Sequence, residues 1–237
     1  MSITIKWFPP SWLQINTKSS IIYIDPSYMR TYFKNYPKKI EFSKWPDPID
    51  GLPEELEPAD IILITHDHTD HCKSVTINRL SRKDTLIVAP KRCTRKIGKS
   101  IQVISPGEEI TCDDISIRAT DAYNVEHPRR KKIWHHKGDG VGYLLTIDGK
   151  TIYHAGDTDY IPEMKTLQAV DMAFLPIGGM YTMDIREAMK AAASINPSVA
   201  IPMHHLKADP RKFKDDLENI SKIKVALLQI GELYLLK

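Results

Sequence analysis

The stretch Asp60-Ile61-Ile62-Leu63-Ile64-Thr65-His66-Asp67-His68-Thr69-Asp70-His71 constrains the fold more than any other part of the chain. Its first half is a short β-branched apolar run, the pattern of a strand buried on both faces. Its second half places His66, His68, Asp70 and His71 directly after that strand. If the backbone stays extended across His66 and His68, their side chains point the same way and both imidazoles reach one ion. Asp70 and His71 are adjacent and diverge, which suits a second ion beside the first. Imidazole and carboxylate donors without cysteine fit zinc first, with manganese and iron as alternatives, in an open catalytic site. One such histidine alone is more often a polar loop residue than a ligand. The density of donors after a buried strand reverses that balance.

Similar short runs recur at 21–24, 86–88, 143–147, 151–153, 172–175, 199–201 and 225–228, and residues 1–7 alternate polar and apolar like an opening strand. Helices are expected over 184–195, with Asp184 as N-cap and an alanine-rich body, and over 209–220, with Pro210 in the first turn. Ser105-Pro106-Gly107 and Asp148-Gly149-Lys150 are turn signals that suit antiparallel meanders beside crossovers. The mixture predicts an α/β (α+β) chain with two sheets and helices outside them. A length of 237 residues suits a single domain over 1–237.

Composition narrows the function. With 42% hydrophobic residues, no run approaches the roughly 18 apolar residues of a membrane span, and no signal-peptide zones precede the first strand. A cytoplasmic location is expected. Cys72, Cys93 and Cys112 make neither an even disulfide framework nor a CxxC pair, so reduced, mostly buried thiols are expected. A net charge of +3 gives no basis for a nucleic-acid partner, and a small-molecule substrate is expected instead. Two loops stand out. Residues 26–56 mix prolines with Tyr28, Tyr32, Phe33, Tyr36, Phe42 and Trp45 and could cap a site. Residues 127–140 carry Arg129, Arg130, Lys131 and Lys132, then His135, His136 and Lys137, which could hold an anionic substrate although a solvated loop is the commoner reading.

The pattern His-x-His-x-Asp-His over 66–71 resembles the signature of the metallo-β-lactamase superfamily. Ile24-Asp25-Pro26 looks like the family's early strand-end Asp-Pro, Gly156-Asp157-Thr158 like its Gly-Asp-Thr segment, and Ile201-Pro202-Met203-His204 like the strand that delivers the last histidine. Gly140-Val141-Gly142-Tyr143 and Leu175-Pro176-Ile177-Gly178-Gly179 are similar to the branch of UPF0173-like, ascorbate-phosphate-lactonase-like metal-dependent hydrolases. The resemblance implies a four-layer αββα sandwich and one or two divalent metals held by His66, His68, Asp70, His71, Asp157 and His204. It implies hydrolysis by a metal-activated water, with Asp70 also catalytic. The expected substrate is a small anionic or phosphorylated lactone or ester. His204 is preferred to His205. Asp25 is expected to orient a ligand, His154 to support the site or the core, and Cys72 to be buried.

The chain departs from the family where relatives usually place a third histidine, because Ala119-Thr120-Asp121-Ala122-Tyr123-Asn124 ends in an amide. Asn124 as a weak donor, His127, or His135 folding back from the basic loop could complete the first site, and His135 is slightly favoured. Trp7-Phe8-Pro9-Pro10-Ser11-Trp12 stands where relatives have a Gly-His pair, so a relative's substrate does not transfer. A phosphodiesterase or nuclease of the same fold, and a non-catalytic module with an incomplete first site, stay open as alternatives.

Overall fold

The computed structural model describes residues 3–27, 56–126 and 132–236. These fall into two compact units, one within Met1–Ala89, Cys93–Val103 and Leu228–Lys237, the other within Pro90–Arg92 and Ile104–Leu227. Among the described residues each unit is built on one mixed sheet of seven strands.

In the first unit β1 (Ile3–Phe8), β2 (Trp12–Asn16) and β3 (Ile21–Ile24) form an antiparallel meander. Next come β4 (Ala59–Leu63), β5 (Ser81–Ala89) and β6 (Gln102–Val103), all parallel to β3. The last strand in the chain, β14 (Leu233–Leu236), lies antiparallel to β1 at the opposite edge. Phe8, Trp12 and Tyr23 pack in series, with ring centroids 4.6 and 6.3 Å apart, against Ile62, Ile64 and Ile77. The aromatic Trp7–Trp12 stretch therefore serves the core of this unit. Helices α1 (Ser74–Leu80) and α2 (Thr94–Ile97) complete it. The sequence did not predict α1, because Val75, Thr76 and Ile77 are weak helix formers; burial of Thr76, Ile77 and Leu80 overrides propensity.

The second unit repeats the plan. β7 (Glu109–Cys112), β8 (Ile115–Ala122), β9 (Gly140–Ile147) and β10 (Lys150–His154) form an antiparallel meander. β11 (Met172–Pro176), β12 (Val199–Met203) and β13 (Lys224–Val225) follow parallel to β10. Asp148 and Gly149, both at positive φ, make the two-residue turn between β9 and β10. Helix α3 (Ile185–Ile195) starts in a capping box of Asp184 and Glu187 and buries Ala188, Ala191, Ala192 and Ile195, one stripe at helical spacing. Helix α4 (Pro210–Ile220) is capped by Asp209 and buries Phe213 and Leu217. The run 225–228 is a strand only at its start, since β13 ends at Val225.

Candidate metal centre

Both units set their ligand-type side chains at the carboxyl ends of parallel strands, where open α/β sheets generally bind ligands. In the first unit the chain does not stay extended through the histidine motif. β4 ends at Leu63, and the amides of His71 and Cys72 both donate to the His68 carbonyl, closing a turn. His66 and His68 still come together as expected, His66 Nε2 lying 3.0 Å from His68 Nδ1 with the rings edge-on. That turn corrects one expectation. Asp70 and His71 converge instead of diverging, with Asp70 Oδ2 3.8 Å from His71 Nε2. The His66 and His71 rings lie 4.1 Å apart. His66, Asp70 and His71 are buried and His68 is half-buried.

Asp25, at positive φ just after β3, organises this set from below. Its Oδ2 takes the Thr65 hydroxyl at 2.6 Å and lies 2.7 Å from His71 Nδ1, while its Oδ1 accepts the Thr65 amide at 2.7 Å. With its hydroxyl proton on Asp25, Thr65 Oγ1 can only accept from His66 Nδ1, 2.9 Å away. Both imidazoles are thereby held as Nδ1–H tautomers with Nε2 left as the donor atom. Thr65 was missed in the sequence because a threonine ending a strand looks like a β-former. Lys73 is also buried here; desolvation lowers its pKa and Asp70 opposes the shift.

In the second unit β10 leads into Asp157 and β12 into His204, which sits at φ 48°. Asp157 Oδ2 lies 3.4 Å from His204 Nε2 and 3.5 Å from His135 Nε2, and all three side chains are buried. At metal–ligand bonds of about 2.1 Å, two ligand atoms on a tetrahedral ion stand about 3.4 Å apart. Both separations match that spacing and exceed a good N–H···O bond of about 2.9–3.0 Å. Each histidine thus stands from Asp157 at a distance that suits two ligands of one divalent metal.

His205 turns the other way, with Nε2 2.8 Å from the Pro202 carbonyl, and burial lowers its pKa. His154 is fully buried, stacked on Phe174. Asn124 lies two residues past β8, and its carbonyl faces the amides of Trp134 and His135 while its NH2 group is engaged as well. His127, Arg129, Arg130 and Lys131, and residues 28–55 of the aromatic loop, lie outside the described residues. Lys132 lies over the Trp134 ring, 4.3 Å from its centroid. Asp159 also went unnoticed in the sequence, although a second carboxylate two residues after Asp157 was a readable signal.

A model of the beta-lactamase superfamily domain matches residues 4–204. A UPF0173 metal-dependent hydrolase from Thermoplasma acidophilum is 36% identical over 172 residues, 68% of this chain and 74% of its own. The chain belongs to this family. A solved structure from Parabacteroides distasonis, 32% identical, superposes with a TM-score of 0.79 over 96% of this chain and 93% of that one. A metallo hydrolase from Ignicoccus hospitalis, 27% identical, gives 0.75 over 100% and 99%. As a UPF0173 metal-dependent hydrolase, the chain has the metallo-β-lactamase fold expected from its sequence, an α/β fold with two mixed sheets and helices. Among the described residues no helix is long and apolar enough to cross a membrane.

Proposed function

We propose that this UPF0173 family member hydrolyses a small anionic lactone or ester, with His66, His68, Asp70, His71, Asp157 and His204 as metal ligands and His135 as the missing third histidine. The observation that carries the reading is Asp157 Oδ2, set between the Nε2 atoms of His135 and His204 at ligand–ligand spacing. One or two divalent ions, zinc first, would lower the pKa of a water and stabilise negative charge developing on the attacked carbonyl. Asp25 and Thr65 hold His66 and His71 in the donor tautomer. Asp70 accepts a proton from the attacking water or relays it to the leaving group. The basic stretch 129–132 supports an anionic substrate. The match of one family model through both units supports a single domain. Three free cysteines support a reducing, cytoplasmic location.

The test is elemental analysis of protein purified without chelator, combined with assays on lactones, carboxylic esters, their phosphorylated analogues and phosphodiesters. Stoichiometric transition metal is expected, with chelator-sensitive turnover of a lactone or ester. Asp70→Ala and His71→Ala should each lose metal and most activity. Full activity in both variants would overturn the ligand assignment, and metal-loaded protein that cleaves only phosphodiesters would overturn the substrate class.

A further inference from the structure

Asn124 stands where the sequence leads one to expect a ligand, yet its side chain is committed elsewhere. The residue is buried, 4% exposed. Its Oδ1 accepts the backbone amides of Trp134 and His135, each at 3.1 Å, and lies 3.2 Å from His135 Nδ1. Its Nδ2 donates to the Tyr181 carbonyl at 2.8 Å and to Asp159 Oδ1 at 3.2 Å. The Asn124 amide itself donates to the His135 carbonyl at 2.8 Å.

These partners fix the orientation of the side chain. Two backbone N–H groups can only donate, and a carbonyl and a carboxylate can only accept, so a flipped amide would lose its bonds at both ends. The oxygen therefore faces His135, and an imidazole nitrogen beside a carbonyl-type oxygen must carry the hydrogen. His135 is held as the Nδ1–H tautomer, and its Nε2 presents a lone pair 3.5 Å from the Asp157 carboxylate. Two acceptors facing each other across that gap repel unless a cation lies between them. The same amide ties together three loops: the one carrying His135, the 157–159 turn through Asp159, and the segment at Tyr181.

We propose that Asn124 is a positioning residue for the metal centre: it binds no metal and sets the tautomer and place of His135, the imidazole that supplies the ligand in its stead. The inference rests on the reading of His135 as a ligand, and the test separates the two.

In 15N-edited spectra of the metal-free full chain at a pH where imidazole is neutral, His135 should show a protonated Nδ1 and a bare Nε2. A wild-type His135 carrying its proton on Nε2 overturns the proposal without any variant. Zinc affinity, measured by chelator competition, is compared in Asn124→Leu and Asn124→Asp, which keep the size of the side chain, in His135→Ala, and in the Asn124→Leu/His135→Ala double variant. Asn124→Leu should weaken zinc binding about 10–100-fold, the usual effect of removing a partner that orients a ligand. Asn124→Asp keeps an acceptor facing His135 and should retain the tautomer, at the cost of an oxygen facing the Tyr181 carbonyl and Asp159. The double variant should bind no more weakly than His135→Ala.

Unchanged affinity in His135→Ala would defeat the ligand reading. Weakening in His135→Ala but not in Asn124→Leu would defeat the role of Asn124, as would fully additive losses in the double variant. Should Asn124→Leu fail to fold, the wild-type tautomer decides, because an Nε2–H imidazole at His135 overturns the proposal by itself.

Discussion

Replacing Asp25 with asparagine would leave the side chain's shape in place and turn one acceptor into a donor that faces a donor. Asp25 takes three hydrogen bonds, from the Thr65 amide, the Thr65 hydroxyl and His71 Nδ1, and asparagine can satisfy only part of that set. Zinc affinity should fall about 10–100-fold in Asp25→Asn, with a stability loss of about 1–3 kcal/mol from the buried mismatch. Competition with a chromogenic chelator and a denaturant titration check the two effects, and wild-type affinity would show that His71 needs no such support. The thiols give a second test at this scale. A hydrogen bond with Cys72, together with burial, pushes the Cys93 thiol up, and Cys72 is buried as well, whereas Cys112 is partly exposed. Thiol reagents should therefore modify Cys112 well before the other two in native protein; three equal rates would contradict the packing. His66, His68, Asp70 and His71 were readable because ligand-type residues crowd one stretch. Thr65, Asn124 and Asp159 were not assigned their roles because these depend on partners far away in sequence, such as the Asp159–Asn124 contact.

At the scale of elements, the close approach of chain segments sets the tolerances of the second unit. A Cβ on Gly178, just after β11, would stand 2.6 Å from the His204 carbonyl and 2.9 Å from the Leu206 side chain. His204 is already in left-handed backbone, so any shift of its carbonyl turns the imidazole as well. Gly178→Ala should cost about 1–3 kcal/mol and weaken metal binding, read by thermal unfolding and zinc titration. The loop carrying His135 has its own anchor. Lys137 donates to Glu163 at 2.6 Å, and the Tyr123 hydroxyl donates to the same carboxylate at 3.0 Å. Partial burial pushes the Glu163 carboxyl up, but hydrogen bonds from Lys137, the backbone and Tyr123 outweigh it and the net direction is down. A lowered carboxyl pKa contributes stability above the ordinary carboxylate value, and that contribution disappears as pH falls through the folded value. Glu163→Gln should lower Tm by about 1–2 °C at neutral pH, with the gap to wild type closing in acid. A gap that persists in acid would mean that packing, not charge, anchors the loop. Most strands were legible from short β-branched runs, and α3 and α4 from their caps. The turn at 68–71 was not, since it is closed by backbone bonds to the His68 carbonyl that leave no mark on the side-chain pattern.

For the whole molecule, a metal that binds the folded chain and not the unfolded one stabilises it by mass action. Chelation should lower Tm, and zinc at about 100 times its Kd should restore about 2.7 kcal/mol. Identical melting curves with and without chelator would argue that neither unit holds metal. The fold class was legible because the histidine motif and the strand pattern agree. The division into two units was not, because the first unit is discontinuous in sequence: its edge strand β14 pairs with β1 only after the chain has run through the entire second sheet. A ribosome releases residues in order, so β1 emerges long before β14 and waits for that neighbour until 233–236 leave the exit tunnel. Throughout that interval the nascent polypeptide carries an unpaired strand edge, the feature most prone to pairing with another copy on the same message. Lys6, partway along β1, is the kind of edge charge that discourages such pairing. The emergence of β14 is thus the step that protects this protein from its own neighbours.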